Sequence, residues 1–130
     1  MDRDEELRLL TVEWNNAWNS RDTNKLAEFF SDSGTYYEPA LGSDPVPGRD
    51  GISRAAEKTW EDWPKAKFEA QTILVDPPRV VLEWSSTAEH KSGTQVKLQG
   101  IDLLEWDGNK VAACRCYYDV HQRNVVLGKS

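Results

Sequence analysis

Residues 95–119 read QVKLQGIDLLEWDGNKVAACRCYYD, and this stretch decides the fold. Gln95–Trp106 is rich in residues that favour a strand, and Asp107-Gly108-Asn109 is typical of a tight turn between antiparallel strands. Lys110–Asp119 then reads as the returning strand. The sequence therefore predicts a long β-hairpin near its C-terminal end.

Two more strands precede this hairpin. Phe68–Val75 and Val80–Glu89 carry β-branched and apolar residues, and Asp76-Pro77-Pro78 between them is typical of a turn. The segment His90-Lys91-Ser92-Gly93 supplies another turn before the strand at residue 95. The second half of the chain thus predicts an antiparallel meander of four long strands.

The first half has helical periodicity instead. In Arg3–Asn19 the apolar residues recur at helical spacing along one stripe. A second helix is expected to end near Ser33-Gly34, and a short strand is expected at Tyr36–Glu38. After a loop rich in Gly and Pro, a third helix is predicted with Asp50 as its N-cap, ending before Pro64.

This order of elements predicts an α+β fold in one domain over residues 1–130. Three N-terminal helices would pack on a strongly curved, mainly antiparallel sheet, and the resulting cone would enclose a cavity. Six Trp in 130 residues suggest that aromatic side chains line the interior.

Composition excludes several classes of partner. The formal net charge of −6 disfavours binding to nucleic acid and to anionic membranes. Cys114 and Cys116 are expected as reduced core residues, and neither they nor the two His fall in a metal-binding motif, so no metal or cofactor is predicted. The acidic N-terminus is unlike a signal peptide and no apolar run has membrane length, which favours a cytoplasmic location.

Two carboxyl groups are candidates for chemistry. Glu38 follows the short strand at a transition to a loop, where a rigid element can direct a side chain into a cleft; otherwise it is a surface carboxylate. Asp102 shares a strand face with Leu104 and Trp106, and burial there would raise its pKa and keep it protonated. The alternative is an Asp near a strand end that reaches solvent.

Asp119, after Tyr117, ends the last strand and is a third candidate. By alternation it shares a face with Val111, Ala113 and Tyr117, and it could act as a general acid or base at the mouth of the cavity. The alternative is an exposed residue at the end of a strand.

These residues carry a resemblance to the ketosteroid isomerase group of the superfamily that shares the nuclear transport factor 2 fold, which also contains SnoaL-like polyketide cyclases. The pattern runs without a gap from Trp14 to Pro39. It continues through Gly42-Ser43-Asp44-Pro45 and Gly48, and through Ile101-Asp102 before the turn at Asp107-Gly108-Asn109. The resemblance covers nearly the whole chain and implies the cone-shaped fold.

The resemblance also implies roles for single residues. Glu38 lies where these isomerases keep a carboxylate base, normally an Asp, and Asp102 lies where they keep a protonated Asp that donates to an oxyanion. Trp14 replaces a hydrogen-bonding Tyr of the family. SnoaL-like enzymes often end the last strand as Tyr117-Tyr118-Asp119 does, which would make Asp119 the acid or base.

The resulting hypothesis is an enzyme that transfers protons on a hydrophobic substrate with a carbonyl group, as an isomerase, a cyclase or a related lyase. Glu38 would be the base and Asp102 the donor to the developing enolate oxygen. The alternative is a non-catalytic module for ligand binding or dimerisation. The residues expected to contact the hydrophobic small molecule are Trp14, Trp18, Tyr36, Trp60, Trp84, Leu104 and Tyr117.

The protein is predicted to form a homodimer through its sheet. Both faces of the sheet carry apolar residues, and the helices can cover only one of these faces. We expect the outer face to pair with a second copy about a two-fold axis. Light scattering at high micromolar concentration should give the mass of two chains, and a monomer under these conditions would contradict the prediction.

Overall fold

Two helices begin the chain. In the computed structural model, which describes residues 1–128, α1 spans Arg3–Ser20 and α2 spans Thr23–Phe29. The Asp2 side chain caps α1 by accepting a hydrogen bond from the Glu5 amide at 2.8 Å, and Asp22 caps α2 in the same way. These caps satisfy amide groups that a helix N-terminus otherwise leaves without partners.

The first strand, β1, spans Phe30–Tyr37 and begins directly after α2. The predicted helix through Ser33-Gly34 was therefore too long. Phe30 is fully buried and pairs with Val111 on a neighbouring strand, so sheet pairing overrides the helical pattern. A Cβ at Gly34 would lie 3.0 Å from the Val111 carbonyl oxygen, so a glycine allows the two strands to approach this closely.

A short strand, β2 at Val46–Pro47, leads into α3 at Gly48–Asp62. The helix starts three residues before the predicted position, and Asp50 lies in its first turn instead of capping it. A carboxylate there is still favourable, because it faces the positive end of the helix dipole. The buried residues of α3 are Ile52, Ala55, Ala56 and Trp60.

The four long strands lie close to their predicted positions. They are β3 at Lys67–Asp76, β4 at Arg79–Glu89, β5 at Gln95–Asp107 and β6 at Lys110–Tyr118. A fourth helix, α4 at Val120–Val126, follows β6 and was not predicted.

All six strands form one curved sheet that does not close, in the order β2-β1-β6-β5-β4-β3. Every neighbouring pair is antiparallel except β1 and β6, which are parallel. The α+β prediction is confirmed. Helix α1 packs on β3, and α3 packs on β1. No helix within residues 1–128 is long and apolar enough to cross a membrane.

The core lies between these helices and the inner face of the sheet. Residues of β4 and β5 alternate between buried and more exposed positions, as expected for strands with one covered face. Aromatic rings pack edge to face across the layers; Trp14, for example, contacts Trp18 and Phe30 with centroid distances of 6.2 and 5.3 Å. Both cysteines are buried and free.

Replacing Gly100 by Ala should destabilise the protein by roughly 1–3 kcal/mol. Gly100 pairs with Trp84 across β4 and β5, and an added Cβ would lie 2.2 Å from Cζ2 of the indole, which would then have to move. The same substitution should cost less in a Trp84→Phe background, since the smaller ring leaves more space. Urea unfolding of the four proteins measures the coupling, and equal costs in both backgrounds would contradict it.

Candidate active site

A cavity of about 290 Å³ opens between the inner face of the sheet and helices α1 and α3. An apolar cavity of about 150 Å³ holds benzene, so this volume suits a compound of roughly two rings. Ligand sites in proteins are usually apolar with a few polar groups, and this cavity has that character. Its aromatic lining residues are Trp18, Tyr36, Trp63, Phe68, Trp84 and Tyr118.

The Asp102 carboxyl group lies on the cavity wall, on the buried face of β5. Its Oδ1 atom accepts a hydrogen bond from Nε1 of Trp84 at 3.0 Å, and Oδ2 accepts a longer one from Nε1 of Trp14 at 3.4 Å. Burial raises the pKa of Asp102 to about 6, although hydrogen bonds from Cys116 and the two indoles oppose the rise.

The two indoles reach Asp102 from different elements. Trp84 stands on β4, where the space above Gly100 admits its ring, and Trp14 comes from α1 and lies in the core without lining the cavity. An indole has one N–H, so each ring has its donor engaged by the carboxyl group. In this arrangement neither Trp14 nor Trp84 has a proton left to donate to a ligand.

Glu38 is the second carboxyl group on the cavity wall. It follows β1 in the same alternation that buries Gly34 and Tyr36, so it points to the inner face of the sheet. The side chain is 8% exposed, and its Oε1 atom is buried with no hydrogen-bond partner among the described residues. An unpaired carboxylate oxygen at this depth is costly and suggests that a ligand supplies the missing partner.

Tyr118 supports Glu38 from β6. Its hydroxyl group hydrogen-bonds the Glu38 carboxylate, and burial followed by the nearby Glu38 charge raises the pKa of Tyr118. The phenol is therefore neutral and can act as a donor to Glu38. Ser86 adds another polar atom to the lining, because its Oγ is buried and has no partner among the described residues.

The structure brings some of the predicted contact residues to the cavity and not others. Trp18, Tyr36 and Trp84 line it. Trp60 and Leu104 are buried in the core behind the wall, as Trp14 is. Their apolar character led to the expectation of substrate contact, but the same character places them in the packed interior.

Tyr117 and Asp119 lie away from the cavity. Tyr117 is on the outer face of the sheet, 45% exposed, and Asp119 is exposed and caps α4 by accepting from the Gln122 amide at 2.8 Å. Asp119 does not stand at the mouth of the cavity, because its carboxylate is engaged by the helix that follows β6. On the same outer face, Nε of Arg115 donates a hydrogen bond to the Tyr117 hydroxyl at 2.9 Å.

Sequence reasoning missed Tyr118 as a site residue. A bulge opposite Glu105 and Trp106 interrupts the alternation in β6, so counting in twos from the buried Val111 leads to the wrong face. Counting from Cys114 and Cys116, both already expected in the core, places Tyr118 on the inner face.

Acid and base side chains form part of the cavity wall. Within residues 1–128, no group of three or more His, Cys, Asp or Glu side chains is arranged to hold a metal ion. The cavity combines a carboxylate with an unpaired oxygen, a carboxyl group of raised pKa and apolar rings. Such a set can take a proton from a bound molecule and return it.

Comparison with known proteins gives the family. The sequence profile of the SnoaL-like domain matches residues 11–114, which is most of the chain. No curated protein is significantly similar in sequence.

Solved structures resemble the chain over nearly its whole length. A hypothetical protein with a ketosteroid isomerase-like fold from Catenulispora acidiphila DSM 44928, in complex with trimethylamine, has a TM-score of 0.84, 21% identity and 93% coverage of both chains. A candidate SnoaL-like polyketide cyclase from Jannaschia sp. CCS1 has a TM-score of 0.84 and 14% identity, covering 100% of this chain and 99% of that one. A candidate polyketide cyclase from Xanthomonas campestris pv. campestris has a TM-score of 0.88 and 11% identity, covering 97% and 99%.

At these sequence identities the structural neighbours show that the fold is shared, but they do not show what this protein does. The profile match and the fold agree with each other and with the resemblance seen in the sequence. The protein belongs to the SnoaL-like domain family, within the superfamily that shares the nuclear transport factor 2 fold.

Proposed function

We propose that the protein is an enzyme that transfers protons on a hydrophobic small molecule with a carbonyl group, as an isomerase, a cyclase or a related lyase. The observation that carries the proposal is the pair of carboxyl groups on one aromatic cavity, of which Glu38 has an unpaired oxygen. The apolar walls would hold the rings of the substrate and exclude water.

Glu38 is the base in this proposal. It would take a proton from the carbon next to the carbonyl group and return it to the same or a neighbouring carbon. Oε1 is the atom available for this step, since it has no partner, and the Tyr118 hydroxyl fixes the orientation of the carboxylate. The general effect of a well-placed base is about a hundredfold to ten-thousandfold in rate.

Asp102 stabilises the negative charge that develops on the carbonyl oxygen. With a pKa of about 6 it is protonated in about one molecule in ten at pH 7 before substrate binds. A substrate that displaces water, and then gains enolate charge beside the carboxyl group, favours the protonated form further. The protonated group can donate to the oxygen of the substrate while the indole of Trp84 continues to orient it.

The alternative, a non-catalytic binding module, would be favoured by a cavity filled with Trp side chains. The rings that would have to fill it for that reading are Trp14, Trp60 and Trp84, but Trp14 and Trp60 lie in the core and Trp84 is part of the wall. The open cavity and the unpaired carboxylate oxygen support the enzyme. The polyketide cyclase assignments of two structural neighbours support it by analogy of fold alone.

We also propose that the outer face of the sheet pairs with a second copy of the chain. Leu74, Ile101 and Tyr117 are exposed there at 62%, 41% and 45%. Large exposed apolar side chains on one face of a sheet, here on β3, β5 and β6, form the kind of surface that a homodimer buries.

Glu38→Gln should reduce enzymatic α-proton exchange by about a hundredfold or more, because the amide cannot accept the proton. The probe is 2-tetralone, a two-ring ketone, and its exchange with deuterium oxide is followed by proton NMR above the uncatalysed rate. Asp119→Asn is the matched control and should stay within about twofold of the wild type, since Asp119 only caps α4. A larger loss in the control than in Glu38→Gln would contradict the assignment.

Asp102→Asn should change how stability depends on pH. The folded-state pKa of about 6 exceeds the unfolded value of about 3.9, so the wild type loses stability as pH rises from about 4 to about 6. The variant has no such titration. The difference between the unfolding free energies of the variant and the wild type should therefore shift in favour of the variant by roughly 3 kcal/mol between pH 3.5 and pH 7.

Urea melts of both proteins at the two pH values measure this difference, and other titrating groups cancel in it. The absolute stability of the variant is not diagnostic, because an Asn has one acceptor oxygen for two indole donors. A relative unfolding free energy that is constant with pH, or that falls, would show that Asp102 ionises in the fold as readily as in the unfolded chain.

A further inference from the structure

The outer end of the cavity differs in chemistry from the end that holds the two buried carboxyl groups. The side chains lining the outer end include Lys58, Asp62, Trp63 and Arg123, which we call the rim. The side chain of Lys58 is 55% exposed and that of Asp62 is 18% exposed, so the rim meets solvent. The rim thus contains charged groups of both signs, whereas the two buried groups are both carboxyl groups.

The negative charge of Asp62 is already matched. Its Oδ1 atom lies 3.3 Å from Nζ of Lys58 and 3.0 Å from Nζ of Lys91. Burial alone would raise the pKa of Asp62, but the ammonium groups of Lys91 and Lys58 lower it, so it stays anionic. The Asp62 carboxylate is thus engaged by the ammonium groups of Lys58 and Lys91.

Arg123 reaches the rim from α4. Its guanidinium carbon lies 5.4 Å from the centroid of the Trp63 ring, and Nη1 donates to Oδ1 of Asn124 at 2.9 Å. Within residues 1–128 it forms no ion pair with a carboxylate. A guanidinium has five N–H donors in a planar fork that fits a carboxylate, and most of these donors are not engaged.

We propose that Arg123 binds a carboxylate on the ligand, so that the cavity selects ring compounds with an anionic group at the outer end. Two buried carboxyl groups make the inner end unfavourable for an anion, whereas the rim favours one. A ligand of this class is held in one direction, with its carboxylate at Arg123 and its neutral end at Glu38. This proposal adds a substrate class to the proposed function. It rests on the proposed function in one respect, namely that the neutral end of the ligand is a ketone.

Three naphthalene derivatives of matched shape test the proposal: 2-naphthylacetate, its neutral amide, and the ammonium analogue 2-(2-naphthyl)ethylammonium. Their dissociation constants are measured by isothermal titration calorimetry at low salt. We expect the wild type to bind the carboxylate about tenfold more tightly than the amide, since a charge-assisted contact at a partly exposed site is worth about that ratio.

Arg123→Gln should remove this preference and leave the affinity for the amide within about twofold. Arg123→Lys, which keeps the charge without the planar fork, should retain part of the preference. Arg79→Gln is the matched control, because it also removes one positive charge, its side chain is 63% exposed, and it belongs to β4 away from the cavity. Thermal unfolding of each variant verifies that it folds.

Several results would overturn the proposal. They are equal binding of carboxylate and amide by the wild type, tightest binding of the ammonium analogue, weakening of all three probes alike by Arg123→Gln, and failure of every probe to bind. The exchange experiment on Glu38 is independent of these measurements. Retained carboxylate preference without catalysed exchange would contradict the proposed chemistry and leave the role of Arg123 intact.

Discussion

The burial of the Asp102 carboxyl group against two indole N–H groups is the constraint on which much of this structure depends. A carboxyl group at that depth without donors would destabilise the fold. Trp84 can supply one donor because Gly100 leaves room for its ring, and Trp14 supplies the other from α1. One side chain thus fixes the position of a helix relative to two strands.

The same constraint gives the two cavity carboxyl groups different properties. Asp102 has donors on both oxygens and a raised pKa, whereas Glu38 has one oxygen without a partner. Two titratable groups in one cavity with unlike surroundings are the usual basis of acid and base assignments. Both oxygens of Asp102 accept hydrogen bonds from indole N–H groups, so Oε1 of Glu38 is the carboxyl oxygen that is left for a ligand.

Much of the fold was predictable because its signals are local. The four long strands, their turns and the burial of Asp102 follow from alternation of apolar residues and from turn composition. The position of Glu38 at the transition from a short strand to a loop was likewise predicted from neighbouring residues, because Thr35, Tyr36 and Tyr37 favour a strand and Pro39 ends it. These predictions need no knowledge of distant partners.

Other features could not be predicted because they depend on the partner strand or on a single cap. Phe30 reads as helical until it pairs with β6, and the bulge near Val111 reverses the faces of Tyr117 and Tyr118. The segment Val120–Val126 has several β-branched residues, yet Asp119 caps it as a helix, and this helix brings Arg123 to the cavity. The position of Arg123 at the rim could therefore not be predicted from the sequence.

The parallel pairing of β1 with β6 has a consequence for how the chain acquires its site. The strand that precedes Glu38 pairs on one side with the two-residue strand β2, but its other neighbour is β6, so the N-terminal third cannot complete its pairing during synthesis until β6 has emerged. Pairing between strands so far apart in sequence is slow, and the edge of β1 that will pair with β6 stays exposed until then. Glu38 and Tyr118 meet at this late step, so the cavity wall is complete only in chains that have been synthesised through β6.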